Sequence, residues 1–300
     1  MSEAGVGAAA PPVAVAAHGG NWRRALYRFR QSPLSVIGLL IVVMLVLVAL
    51  LAPWIVPHPE HAEGAMNTAL RFRPPSAAFP FGTNELGQDM LTLVVMGARV
   101  SLFCAIAVVL IGTVVGTLVG ACAGYFGGLL DEALMRFTDL MLTLPSLILA
   151  MAVAAALGPG LLNMVIAIGF SWWPGYARLV RGEVLARKEE VYVLAARAMG
   201  AGPGRILRRH ILPNIASVII VKMSLDLGFA ILTVASLGFI GIGVRAPTPE
   251  WGTLLSVARS YMPDHWWTAM FPGLAIFLAV YGFNLLGDGL RDVFDPKARR

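Results

Sequence analysis

Apolar residues run along this chain in long unbroken blocks. Gln31 to Pro57 contains no Asp, Glu, Lys or Arg, and neither does Val100 to Leu130. Leu140 to Ala177 is equally uncharged, but Gly158-Pro159-Gly160 sits at its middle, so the pattern predicts two spans there, of 18 and 17 residues. Trp266 to Gly287 supplies 22 more, and Leu227 to Val244 supplies 18, completed by the apolar approach from Asn214. A helix rising 1.5 Å per residue needs about 20 apolar residues to cross about 30 Å of hydrocarbon. A barrel would alternate lipid-facing and lumen-facing residues in segments of about 10, and these runs do not alternate. The pattern predicts an all-α integral membrane protein with six transmembrane helices.

Composition agrees with the pattern. Of the 300 residues 58% are hydrophobic and 13% charged, and the mean hydropathy is +0.76. A soluble domain keeps about a quarter of its residues charged to meet water, and here that surface is missing.

Charge placement sets an orientation. Arg23, Arg24, Arg28 and Arg30 precede the first span; Arg178, Arg181, Arg187, Lys188, Arg197, Arg205, Arg208 and Arg209 lie between the fourth and fifth; Arg291, Lys297, Arg299 and Arg300 end the chain. The opposite side carries Arg71, Arg73, Arg245 and Arg259, a ratio of sixteen to four that predicts both termini in the cytoplasm. The net charge of +6 is then a topology signal. Dispersed along a membrane chain, it does not describe a nucleic-acid surface.

The expected outline is a cytoplasmic tail over 1–33, a first span over 34–57 and an extracytoplasmic loop over 58–97. A core of five spans over 98–290 follows, with a cytoplasmic loop at 182–213, and then a tail over 291–300. Met1 to Gly20, rich in Ala, Gly and Pro, is expected to be disordered. Its small residues precede the arginines and the apolar run, the wrong order for a cleaved signal, so the first span is expected to stay attached. Trp22 to Arg30 mixes aromatics with arginines, as a helix lying on the membrane surface does.

Catalytic chemistry is hard to find. No GxxxxGK[ST] phosphate loop, GxSxG elbow or HExxH occurs, so the chain is not read as an enzyme and is expected to hold no cofactor. His58 and His61 flank Pro59-Glu60, which reads as an ordinary polar loop because no further His or Cys lies near in sequence. Cys104 and Cys122 are 18 residues apart on one predicted helix, about 27 Å at helical rise, and cannot bridge each other. Lys222 and Asp226 share one face of the fifth span. Two readings stand: a mutually satisfied pair facing other helices, or a polar point on a substrate path. An ion-coupled secondary transporter would use such a pair, but no second acidic residue extends it into a proton relay.

Two further constellations carry information. Gly112, Gly116, Gly120 and Gly124 form one side-chain-free stripe on the second span, read as close helix packing, with a surface that slides during gating as the alternative. The segment 182–213 is far longer than a connector needs. GEVLARKEEVYVLAARAMG at 182–200 favours a helix, Gly200 and Gly202 interrupt it, and Pro203 fits the start of a second helix that ends where Pro213 begins the next span. A basic amphipathic helix behind a Gly hinge docks either a partner protein or anionic lipid, and physics alone leaves the two open.

The run Ala195-Ala196, Gly200, Leu212-Pro213 resembles the cytoplasmic signature loop of bacterial ABC importer permeases, with Leu194 at the usually acidic position. FGTNELGQDMLTLVVMGARVSL at 81–102, GYFGGLLDEALMRFTDLMLTLPSLILA at 124–150, APTPEWGTLL at 246–255 and FPGLAIFLAVYGFNLLGDGLRDVFDPK at 271–297 resemble permeases of dipeptide, oligopeptide and nickel importers. The likeness is to their second permease subunit, with Asn84 and Gln88 standing where that family more often has charges.

This resemblance implies the type I importer permease fold in a bacterial inner membrane. It implies a sister permease that completes the path, one or two separate ATPase subunits that hold ATP and magnesium, and an extracytoplasmic binding protein. For this chain it implies ATPase coupling through Ala195, Ala196, Gly200, Arg205 and Pro213; Lys222 and Asp226 remain, from their spacing alone, a satisfied pair or a point on the path. Binding-protein contacts would fall on Asn84, Glu85, Asp89, Glu250 and Trp251, which otherwise read as turn residues and interface anchors.

Overall fold

The computed structural model describes residues 27 and 29–294. The expectations for the Ala/Gly/Pro-rich start, for most of Trp22 to Arg30 and for 295–300 lie outside the described residues. Within them every regular element is helical, beside one isolated antiparallel bridge between Thr83 and Asp89. The principal helices are α1 (Pro33–Ile55), α2 (Met90–Phe126), α3 (Gly128–Thr143), α4 (Ser146–Leu157), α5 (Leu161–Arg187), α6 (Val191–Ala198), α7 (Leu212–Ile240), α8 (Trp251–Ala258) and α9 (Trp267–Phe294).

Among the described residues, four helices are long and apolar enough to cross a membrane: Pro33–Ile55, Met90–Phe126, Pro203–Ile240 and Trp267–Val293. A fifth span exists if α3 and α4, bent by 92° at their junction, count as one. The even split of Leu140 to Ala177 is therefore corrected. Pro145 disfavours helical backbone at Leu144, which turns extended at φ −88° and ψ 132° and breaks the run one turn inside its start. After Gly160, α5 has the length of a span with 27 residues, but Asn163, Trp172 to Tyr176, Arg178 and Arg181 make it more polar than the other long helices.

α1 shows why such a sequence folds in lipid. Its buried residues, Ser35, Gly38, Val42, Leu45, Ala49 and Ala52, recur at three and four and form one stripe. The outer face is no less apolar, with Leu40 64% and Leu50 62% exposed. An apolar surface of that extent is stable only when covered by acyl chains or another subunit. The buried stripe packs on α9, where a Cβ on Gly38 would come within 2.6 Å of the Leu285 Cβ.

The glycine stripe of α2 meets α5 in the most extensive helix contact of the molecule. A Cβ on Gly112 would touch the Trp172 Cβ at 3.3 Å, and one on Gly124 would lie 2.9 Å from the Arg181 carbonyl. On Gly116 it would overlap the Tyr176 Cβ, and on Gly120 the Ala177 carbonyl. The stripe is a packing seam. At its end Gly127, at φ +66°, reverses the chain into α3. α3 is tied back to α5 by Arg181 to Asp131 at 2.5 Å and Arg178 to Asp139 at 2.6 Å. These two arginines thus belong to α5 and have partners, and are not part of a free loop.

The expected second cytoplasmic helix does not stand apart from the fifth span. Pro203–Ile240 runs on as one helix, and Pro213 sits inside it. A proline there removes one N–H and crowds the carbonyl four residues back. The widened turn at Leu207–Ile211, in which Leu212 N–H donates to the Leu207 carbonyl, accommodates both.

Candidate functional site: two ends of the bundle and a polar cluster between them

α2 is 37 residues long, about 55 Å at helical rise, and joins two dissimilar ends. At its C-terminal end lies the predicted coupling segment. After Arg187 the chain leaves α5 and forms α6, a short helix with Val193 and Ala196 turned inward. Val193 packs with Ala121, Val180, Val184, Ile206, Ile211 and Ile215 in a small core of their own. The other side of α6 is open, with Val191 79% and Met199 82% exposed and Leu194 and Ala195 between them. Gly200 stops the helix at φ +81°, with nothing within 4 Å of a Cβ built on it. Arg205 and Pro213 are exposed beyond it. Of the five predicted coupling residues, Ala195, Gly200, Arg205 and Pro213 are exposed, and Ala196 anchors the helix from below. The departure at Leu194 has a local explanation, because it extends an apolar strip from Val191 to Met199.

The opposite end is a clasp. Asp89 caps α2, its Oδ2 accepting from the Thr92 N–H at 2.9 Å and hydroxyl at 2.7 Å. The Asp89 N–H donates to His61 Nδ1 at 3.0 Å. Asn84 Nδ2 donates to Gln88 Oε1 at 2.9 Å, and Gln88 Nε2 to the His61 and Ala65 carbonyls, both at 3.0 Å. Glu250 caps α8, accepting from Gly252 N–H at 2.8 Å, Thr253 N–H at 2.9 Å and the Ser101 hydroxyl at 3.2 Å. Trp251 Nε1 donates to the Val94 carbonyl at 2.9 Å.

Asn84, Asp89, Glu250 and Trp251 are all buried. Four of the five residues expected to meet a binding protein are thus engaged within their own chain as caps or anchors. Only Glu85 keeps an open side. It lines a cavity of about 320 Å³ beside Pro247 and Thr253, and partial burial raises its pKa.

Two predictions arise here. Every hydrogen-bond partner of the Glu250 carboxyl is a donor, which favours the carboxylate although burial raises its pKa. Glu250→Gln turns an amide donor toward those donors and is expected to lower stability by about 1.5–3 kcal/mol, read as an earlier thermal transition in detergent. His61 is held below its ordinary 6.5, first by burial and then by the His58 charge. Its folded pKa is depressed, so its contribution is complete above about 6.5 and is lost as pH falls below that value. Proteolysis of the loop 58–88 is expected to quicken below that pH in the native chain, and His61→Gln is expected to remove the pH step.

Between the ends, Lys222 Nζ lies 3.0 Å from Asp226 Oδ2 on α7. The ammonium sits 4.8 Å from the centre of the Tyr176 ring. Tyr176 is fully buried, and neither its hydroxyl nor that of Thr113 has a hydrogen-bond partner. Sequence reasoning found the pair and missed Tyr176 and Thr113. They sit on α5 and α2, and only the glycine seam, which lets those helices meet, brings them to α7. Cys104 and Cys122 are free.

Comparison with known proteins agrees with this arrangement. Residues 112–300 match the family described as binding-protein-dependent transport system inner membrane component, and residues 20–75 match the N-terminal TM domain of oligopeptide transport permease C. A probable D,D-dipeptide transport system permease protein of Escherichia coli (strain K12) is 43% identical over 278 residues, 93% of this chain and 92% of that protein. A dipeptide transport system permease protein of Alkalihalophilus pseudofirmus is 43% identical over 282 residues, 93% and 90% of the two chains. A glutathione transport system permease protein of Pectobacterium atrosepticum is 42% identical over 278 residues, 93% and 92% of the two. Among solved structures, an inward-facing MetNI methionine ABC transporter shares the fold, with a TM-score of 0.54 at 21% identity over 69% of this chain and 98% of that one.

Proposed function

The chain belongs to the family of binding-protein-dependent transport system inner membrane components, and from that membership we propose that it forms half of a path for dipeptides, oligopeptides or similar small zwitterions. It is a permease subunit of an ABC importer of the inner membrane and not an enzyme. The solute class follows from the relatives, whose names concern dipeptides and glutathione.

In the proposed working cycle a sister permease closes the other half of the path, and an extracytoplasmic binding protein delivers the solute near Glu85. One or two ATPase subunits hold ATP and magnesium and receive α6 in a groove. Six crossings with both termini in the cytoplasm, counting α5 as a span, put the basic segment 178–209 on the ATPase side, in accord with the excess of positive charge there. Nucleotide-driven closure of the ATPases pushes α6, and its small core passes the motion into α5 and α7 as a rigid-body switch between two states.

The observation that carries the coupling assignment is the exposed apolar strip of α6 on a helix anchored from one side only. Val191 and Met199 point away from the chain's own core, where a groove of a partner subunit would cover them. The test is mild-detergent purification of the tagged chain from its host with mass spectrometry of what accompanies it. A second permease and one or two P-loop ATPases are expected. Recovery of the chain alone, repeatedly, contradicts the subunit reading.

A further inference from the structure

The Lys222–Asp226 pair is not sealed inside the chain: 31% and 17% of the two side chains remain uncovered. Charge turned toward acyl chains is strongly unfavourable, so the uncovered side faces another subunit or the path. The same helix face continues with Thr233 and Ser236, whose hydroxyls donate back to Phe229 and Leu232 carbonyls at 2.8 and 2.7 Å and leave their acceptor sides open. A row of polar groups with this spacing lines something wetter than lipid.

A second observation points to a ligand. The Tyr176 hydroxyl is buried close to Asp226 and Thr113, but in neither case is the approach well enough aligned for a full hydrogen bond. The Thr113 hydroxyl is also unpartnered. Buried hydroxyls are rarely left unsatisfied, and two together beside an ion pair mark a place built to receive polar atoms from elsewhere.

We propose that Lys222, Asp226 and Tyr176 form a transient site on the translocation path for the ammonium and carboxylate of a zwitterionic solute. The pair separates as the solute arrives, Asp226 taking the ammonium and Lys222 the carboxylate, with the Tyr176 hydroxyl joining the new contacts. When the solute leaves, the two side chains close on each other again, so neither charge stands alone in the membrane at any stage. Four residues of helix hold them within reach for that exchange. The site must bind weakly enough to release, and an internal ion pair that competes with the solute has that effect. This inference rests on the permease reading above.

The test uses the complete transporter in liposomes with labelled dialanine, comparing the native chain with the double variant Lys222→Met, Asp226→Leu. Replacing a buried pair by apolar residues of similar size usually preserves folding, whereas a single neutralisation strands a charge. Uptake per ATP hydrolysed is expected to fall at least about tenfold at native yield of the assembled complex, through the loss of both charge-assisted contacts to the solute. Native uptake by the double variant overturns the proposal and leaves a structural ion pair.

If the double variant does not assemble, Thr233→Cys, nearly isosteric, decides the matter in a Cys104→Ala, Cys122→Ala background. Reaction with a membrane-impermeant cationic thiosulfonate, slowed by excess dialanine, is expected in at least one nucleotide state. Absence of reaction with and without ATP overturns the proposal. A native complex that takes up nothing under ATP would instead count against the peptide-importer reading, and the thiol measurement remains valid in that case.

Discussion

Gly200→Glu is expected to abolish ATP-driven uptake while leaving the chain inserted and folded. Gly200 adopts φ +81° and a Cβ there meets nothing within 4 Å, so the substitution introduces no clash. The left-handed backbone makes any side chain unfavourable by about 1–2 kcal/mol, small against a native stability of about 5–15 kcal/mol. The damage falls on docking. A carboxylate is placed beside the apolar strip of Val191, Leu194 and Met199, where a partner groove would have to desolvate it. Interface positions of this kind carry about 2 kcal/mol or more, roughly thirtyfold in affinity. Detergent-extracted yield and melting are expected to stay near native while ATPase co-purification and uptake fall together. Normal uptake by this variant would remove α6 from the coupling path.

Gly116→Leu is expected to have the opposite character, a loss of the folded chain itself. Its first added carbon overlaps the Tyr176 Cβ and lies 2.5 Å from the Trp173 carbonyl, and neither is the movable end of a side chain. Overpacking against side chains commonly costs about 1–3 kcal/mol, and here the backbones of α2 and α5 would have to part. Because this seam is the most extensive helix contact, its separation also exposes the buried Tyr176 and disturbs Lys222 above its ring. The variant is expected to accumulate poorly and to melt early in detergent. Val114→Leu, on the outward face of the same helix, is the control and is expected to behave as native. Equal behaviour of the two variants would show that the seam is not tight in the membrane.

Much of this architecture was legible because lipid imposes simple rules on sequence. Uncharged runs located the long helices, and the four-residue spacing of Gly112 to Gly124 announced a close contact, though not that α5 would be the partner. Pro145 was readable as a break, but inside an uncharged run of 38 residues the Gly158-Pro159-Gly160 turn drew the boundary instead. Pro213 misled for a related reason. Proline ends helices in isolation, and the widened turn that carries one through depends on the core formed by Ile206, Ile211 and Ile215.

At the N-terminal end of α2, acidic and aromatic residues in a loop look like surface. Their caps and indole bond could not be anticipated, because Glu250 reaches Ser101 across 149 positions and Trp251 reaches Val94 across 157. Tyr176 was invisible for the same reason. Its meaning lies in three helices meeting, and no local pattern on α5 records that.

The central claim is that ATP hydrolysed by partner subunits, passed through α6, drives solute through this chain. Its most direct measurement is uptake into liposomes carrying the purified complex with binding protein supplied outside, ATP enclosed or withheld, and proton and sodium gradients collapsed by ionophores. Uptake is expected to stop without ATP and to persist after the gradients are gone. Uptake that continues without ATP and ends with the gradients would contradict it and identify an ion-coupled carrier.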